Sequence, residues 1–169
     1  ADPASVAAMV HMVESVCSRI DILVNNAGIN VPRLLVDPQG REELTVEIWD
    51  RVSAINQKGT FLCTQAVLPG MRERRSGRIV NIGSLAGLVS VPFQAFYCAT
   101  KYAVVGLTET LREEYRDRGI DFSTVLPSRV STELVAGTTA GNGLPTVSPE
   151  EVAAGAIAAS ALSDLHRTV

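Results

Sequence analysis

The stretch Arg78-Ile79-Val80-Asn81-Ile82-Gly83-Ser84, with Tyr97-Cys98-Ala99-Thr100-Lys101 beginning 13 residues after Ser84, decides how this chain folds. Residues 78–82 form a short apolar run whose composition reads as a strand buried on both faces. Residues 83–94 read as loop, and 95–118 as a long helix with Gly119 as its C-terminal stop. Strand, loop and helix in that order are one step of a pattern that extends both ways. Upstream, Asp2 can cap a helix and Pro3 suits its first turn. Val6, Val10, Val13 and Cys17 then give that helix one apolar stripe. Residues 20–24 read as a strand ending at Asn25-Asn26-Ala27-Gly28, and a polar loop with Pro32, Pro38 and Gly40 follows. A helix is expected from Thr45 through Val52 to about Leu68, ending before Pro69.

Downstream, residues 120–126 read as a third strand ended by Pro127. Residues 128–147, rich in Gly, Thr and Ser, read as a mobile loop with at most one helical turn. Ser148-Pro149-Glu150-Glu151 opens a last helix to about Leu162, with Ser148 as N-cap and Glu151 completing a capping box. Alternating strands and helices predict an α/β fold, a parallel sheet covered by helices. Three strands make a thin sheet, so the expected architecture is an incomplete, doubly wound one.

Composition narrows the function class. The chain has 169 residues, one domain by length, with 46% hydrophobic and 20% charged residues. A net charge of −3 and a pI near 5.4, without a stripe of Lys and Arg, argue against a nucleic-acid partner. The densest basic run, Arg72-Glu73-Arg74-Arg75, reads as a solvated helix end. Cys17, Cys63 and Cys98 are too few and scattered for a disulfide framework or a zinc site, and no metal is expected. No apolar run approaches the ~18 residues needed to span a membrane. Ala1-Asp2-Pro3-Ala4-Ser5 has neither the basic nor the apolar region of a signal peptide, so the expected location is cytoplasmic.

The chemistry resides in a constellation. Tyr97 and Lys101, at i and i+4, place a phenol and an ammonium on one helix face about 6 Å apart. An ammonium beside a phenol is expected to lower the phenol's pKa from about 10, and such a phenol suits carbonyl reduction, where the oxygen must gain a proton. Ser84 ends a strand at the carboxyl edge of an open sheet, where its hydroxyl can hydrogen-bond a substrate oxygen. Asn25-Asn26-Ala27-Gly28 ends another strand at the same edge, and Gly28 lets a ligand approach the backbone closely. Asn56, a poor helix former in mid-helix, marks either a local kink or a water-holding position in a proton relay.

Taken together, Asn-Asn-Ala-Gly, the mid-helix Asn, the strand-end Ser and Tyr-x-x-x-Lys resemble the short-chain dehydrogenase/reductase family over roughly residues 1–135. The resemblance implies a Rossmann-like doubly wound parallel sheet with helices on both faces, here lacking its first βαβ unit and last strand. It implies Asn56, Ser84, Tyr97 and Lys101 as a catalytic tetrad: Tyr97 the general acid/base, Ser84 the ligand of the substrate oxygen. Lys101 would tune Tyr97 and contact the nicotinamide ribose, and Asn56 would anchor a water linking Lys101 to solvent. NAD or NADP is the implied cofactor, beside Asn25, Ala27, Gly28, Tyr97 and Lys101. Pro127-Ser128-Arg129-Val130-Ser131-Thr132 matches the family's segment at the nicotinamide carboxamide, with Pro127, Val130 and Thr132 in the matching positions and Ser128 where glycine is usual.

The implied partners are a small alcohol or carbonyl substrate and further copies of the chain, as a homo-dimer or homo-tetramer built on helices 45–68 and 95–118. The family's glycine-rich phosphate turn between a first strand and helix is not found: Gly137, Gly141 and Gly143 neither follow a strand nor open a helix. The whole chain, 1–169, therefore reads as a partial nucleotide-binding domain whose substrate loop spans about 128–147. The leading expectation is an NAD(P)-dependent oxidoreductase interconverting an alcohol and a ketone or aldehyde; the alternative is an inactive fragment serving only as an oligomerisation module.

Overall fold

The computed structural model of the chain describes residues 1–132, 134, 145–162 and 166–169. Among the described residues the longer helical segments are, in chain order, α1 (Pro3–Cys17), α2 (Val46–Ser53), a π-helical segment (Ala54–Gly59), α3 (Thr60–Arg74), α4 (Ala95–Glu114) and α5 (Pro149–Leu162). The strands are β1 (Ile22–Asn25), β2 (Gly77–Ile82), β3 (Ile120–Leu126), β4 (Arg129–Val130), β5 (Thr146–Val147) and β6 (His166–Thr168). Strands β1, β2, β3 and β6 form one parallel sheet in that order, and β4 pairs with β5 in a separate ribbon.

The central strands β2 and β3 are buried on both sides, as the apolar run at residues 78–82 predicts. Ile79 packs with Phe122, Ile120, Val10 of α1 and Val67 and Met71 of α3. The next residue, Val80, points the other way and packs with Val125 and Ala159 of α5. Helices α1, α3 and α4 thus cover one face and α5 the other. Arg78 and Asp121, in register on β2 and β3, close an ion pair at 2.6 Å.

Local chemistry sets the helix ends. Asp2 accepts a hydrogen bond from Ser5 N at 2.8 Å with Pro3 in the first turn. Ser148 and Glu151 make the reciprocal capping box: Ser148 N donates to Glu151 Oε2 (2.7 Å) and Glu151 N to Ser148 Oγ (3.2 Å). Of the stripe on α1, Val10 is buried, Val6 and Val13 are half-buried and Cys17 is exposed at the helix end.

Four expectations are corrected. The helix does not end before Pro69 but runs to Arg74. Pro69 and Gln65, the residue whose carbonyl its missing N–H would have met, both lie on the exposed face, so water can serve that carbonyl. Burial of Val67 and Met71, each worth about 1.5–3 kcal/mol, holds the helix together across the proline. Helix α4 stops at Glu114 rather than Arg118; a turn follows, and Gly119 (φ 73°) closes it against Arg75. There a side chain would collide with Arg75 O.

The last strand is also present: residues 166–168 pair with Thr124, Val125 and Leu126 of β3. A tail this short and polar carries no strand signal, but the free backbone groups of β3 supply one. Finally, the two ends of the 128–147 segment are ordered by the β4–β5 ribbon and by Ser128 Oγ, which donates to Pro145 O at 2.8 Å. The mobile loop and helical turn expected between them, with Gly137, Gly141 and Gly143, lie outside the described residues. At the opposite edge of the sheet, Ile22 and Val24 of β1 are 50% and 45% exposed.

Candidate active site

Because β1, β2 and β3 run parallel, their carboxyl ends gather at one edge, and every residue of the expected tetrad is carried there or beside it. Ser84 follows β2 and caps a single 3₁₀ turn, Leu85–Gly87, accepting from Ala86 N at 3.2 Å. Leu85 N bonds Pro127 O at 2.9 Å, tying this turn to the end of β3. Gly87 lies directly on α4: a Cβ there would stand 2.8 Å from Lys101 O. The turn and the helix are thus packed backbone to backbone, which sets Ser84 on the same side as Tyr97.

Lys101, one turn after Tyr97, is 6% exposed and donates to Ile82 O at 2.9 Å. Its Nζ sits 5.7 Å from the centre of the Tyr97 ring. Burial lowers the Lys101 pKa to about 8. The expectation that Lys101 draws the Tyr97 phenol below its ordinary value is corrected for the chain as it stands. Burial pushes the phenol up, and only the Ser84 hydrogen bond pulls it down. The ammonium is anchored at a strand-end carbonyl, and desolvation is the largest influence on the phenol.

Asn56 explains why the helix opens into a π-segment at residues 54–59. It is 2% exposed, and both ends of its amide grip Ile29: Ile29 N donates to Oδ1 and Nδ2 donates to Ile29 O, each at 2.9 Å. Nδ2 also donates to Thr100 Oγ1 at 3.1 Å, and Thr100 Oγ1 donates to Tyr97 O at 2.8 Å. One side chain therefore connects the residue after Gly28 to the helical turn that holds Tyr97 and Lys101. Thr60 Oγ1 takes up the Asn56 carbonyl at 3.1 Å.

The cofactor candidates fall into two groups. Gly28 faces the centre: a Cβ there would stand 3.5 Å from Asn56 Oδ1 and 3.7 Å from Lys101 Nζ. Pro127 is buried at the end of β3, while Val130 is half-buried in β4 and Thr132 exposed beyond it. Ala27 is exposed. Asn25 faces inward: its Nδ2 donates to Asn81 Oδ1 (2.8 Å) and Thr64 Oγ1 (3.1 Å), and Asn81 Nδ2 donates to Thr108 Oγ1 (2.8 Å). Asn25 and Asn81 are register partners, so this network staples β1 to β2 and both to α3 and α4 just below the site.

Sequence reasoning missed Thr100, Asn81 and Thr108. A polar Asn81 in an otherwise apolar strand was the available signal, since a buried amide needs partners. Among the described residues no group of three His, Cys, Asp or Glu could hold a metal, and no helix is long and apolar enough to cross a membrane.

Comparison with known proteins places this geometry. A short chain dehydrogenase family profile matches residues 1–143. The inactive 2-(S)-hydroxypropyl-CoM dehydrogenase 2 of Xanthobacter autotrophicus is 45% identical over 78% of the chain and 54% of its own length. The D-threitol dehydrogenase of Mycolicibacterium smegmatis is 45% identical over 79% of the chain and 49% of its own. A 3-oxoacyl-[acyl-carrier-protein] reductase of Synechocystis is 43% identical over 69% and 45%. The chain spans about half the length of the curated relatives it matches. Among solved structures, ElxO with NADP bound superposes with a TM-score of 0.73 at 28% identity, covering 99% of this chain and 62% of that one. With the strand-end serine, the Tyr-x-x-x-Lys turn and the bracing asparagine arranged on a parallel sheet, the chain belongs to the short-chain dehydrogenase family.

Proposed function

We propose that the chain carries the reaction centre of an NAD(P)-dependent oxidoreductase that interconverts an alcohol and a ketone or aldehyde. The observation that carries this reading is the buried Lys101 ammonium 5.7 Å from the Tyr97 ring, on the helix against which the turn capped by Ser84 packs. In reduction, Ser84 Oγ holds the substrate oxygen and Tyr97 Oη gives it a proton; in oxidation Tyr97 takes that proton back. The buried phenol stays protonated at neutral pH, which is the form a proton donor needs. Lys101 keeps positive charge beside the phenol, and the Asn56–Thr100 bonds hold the turn that presents both.

The residues present fit the nicotinamide half of a dinucleotide. Gly28 leaves open the space between Asn56 and the Lys101 ammonium, where a ribose hydroxyl would find a donor. Gly28, Tyr97, Lys101, Pro127, Val130 and Thr132 would hold that half, with Ala27 and Asn25 in the turn beneath it. Bound there, the nicotinamide supplies or accepts the hydride. NADP-bound and NADPH-bound ElxO structures among the structural relatives support this reading.

Titrating NADH and NADPH fluorescence with the chain tests it. Saturable binding of either, with turnover of an alcohol–carbonyl couple that Tyr97→Phe abolishes while sparing binding, is the expected result. Retained turnover in Tyr97→Phe, or no binding at millimolar cofactor, refutes it for this chain. The groove between α3 and α4, about 330 Å³ and lined by Phe61, Leu68, Leu107 and Leu111, supports self-association as a dimer or tetramer, which light scattering checks. A cytoplasmic location fits three cysteines that are all free.

A further inference from the structure

Tyr97 is the third residue of α4, so its placement depends on what holds the first turn of that helix. Local capping holds it poorly. Gln94, at the N-cap position, gives the helix no side-chain bond, and its Oε1 accepts from Asn30 Nδ2 at 3.4 Å instead. No acidic residue stands in the first turn to meet the helix dipole. The chain enters through Phe93 at φ 63°, a left-handed conformation that bulky residues adopt only where the surroundings impose it. Packing supplies what capping does not. Phe96, the first buried residue of α4, stacks on Trp49 of α2 with ring centres 3.8 Å apart and planes at 20°. Aromatic pairs usually stand about 4.5–7 Å apart, so these rings are pressed face to face.

The following turn is held by a second tie. About two helical turns beyond Trp49, Asn56 Nδ2 donates to Thr100 Oγ1 at 3.1 Å. Phe96 immediately precedes Tyr97 and Thr100 immediately precedes Lys101, so one tie falls on a neighbour of each. We propose that Trp49 is a positioning residue: its stack on Phe96 fixes the first turn of α4 and so aims the Tyr97 phenol at the substrate oxygen. Trp49 is 47% exposed, so shortening it takes away this contact and little of the core. Phenylalanine, smaller but flat, keeps a ring against Phe96. This inference rests on Tyr97 as the proton donor described above.

Hydrogen exchange tests the mechanical half without turnover. Cys98 N–H, which donates to Gln94 O at 2.8 Å, opens the backbone ladder of α4. In Trp49→Leu its exchange should quicken at least about tenfold, while amides near Thr108, farther along α4, exchange as in the wild type. Trp49→Phe should restore the slow rate. Unchanged exchange at Cys98, or quickening along all of α4, overturns the proposal; in the second case Trp49 holds the helix and not its first turn. Turnover tests the chemical half, with NADPH and butan-2-one as the probe pair. The kcat should fall at least about tenfold in Trp49→Leu and return in Trp49→Phe, with the KM for NADPH unchanged. An unchanged kcat beside quickened exchange overturns the link from this turn to proton transfer. Local quickening in a chain that turns nothing over, wild type included, sinks the catalytic reading and leaves the strut standing.

Discussion

Replacing Lys101 with methionine tests the electrostatics of the site through folding stability, with no need for turnover. Lys101 is 6% exposed, and burial lowers its pKa from 10.5 to about 8. The fold therefore disfavours the ammonium, while the unfolded chain holds it at the ordinary value. Below pH 8 both states are protonated and the folded state carries the full desolvation cost, about 3 kcal/mol at about 1.4 kcal/mol per unit. Between pH 8 and 10.5 the unfolded chain binds more protons, so stability rises with pH. Measured against Lys101→Met, the wild type should gain about 2 kcal/mol from pH 7 to pH 9.5. The lost bond to Ile82 O adds a pH-independent offset of about 1.5–3 kcal/mol, and groups common to both proteins cancel. Tyr97, shifted upward, titrates above this window. Urea unfolding followed by circular dichroism across the pH series gives the difference directly. A gap that stays flat within about 0.5 kcal/mol would show that Lys101 keeps an ordinary pKa, and the argument from burial would fail.

Two further substitutions separate folding from binding. Gly119→Ala forces a side chain onto a positive φ and against Arg75 O, and should cost at least about 2 kcal/mol; a urea midpoint within error of wild type would contradict the turn described here. Gly28→Ala places its methyl at ordinary contact distance from Asn56 and Lys101. It should leave the unfolding midpoint unchanged, yet weaken nicotinamide binding at least about tenfold in the fluorescence titration, a loss of about 1.4 kcal/mol; unchanged binding would remove Gly28 from the cofactor surface.

The alternation of strands and helices, the buried run at residues 78–82, both helix caps and the spacing that groups Ser84, Tyr97 and Lys101 were legible from residues 1–169 alone. These rest on local rules: pattern period, capping chemistry, and the spacing of Ser84, Tyr97 and Lys101. Tertiary packing decided the rest. Residues 166–168 became a strand because β3 offered an unpaired edge, and Pro69 stayed inside a helix because Val67 and Met71 are buried around it. Asn25 and Asn81 staple the sheet, and Thr100 joins Asn56 to Tyr97, through partners as many as 56 residues away in the chain. The pKa values changed most. Sequence spacing places an ammonium one turn from a phenol, but only the fold determines how much water each loses. Desolvation is the largest influence on each, so Lys101 falls to about 8 and Tyr97 rises.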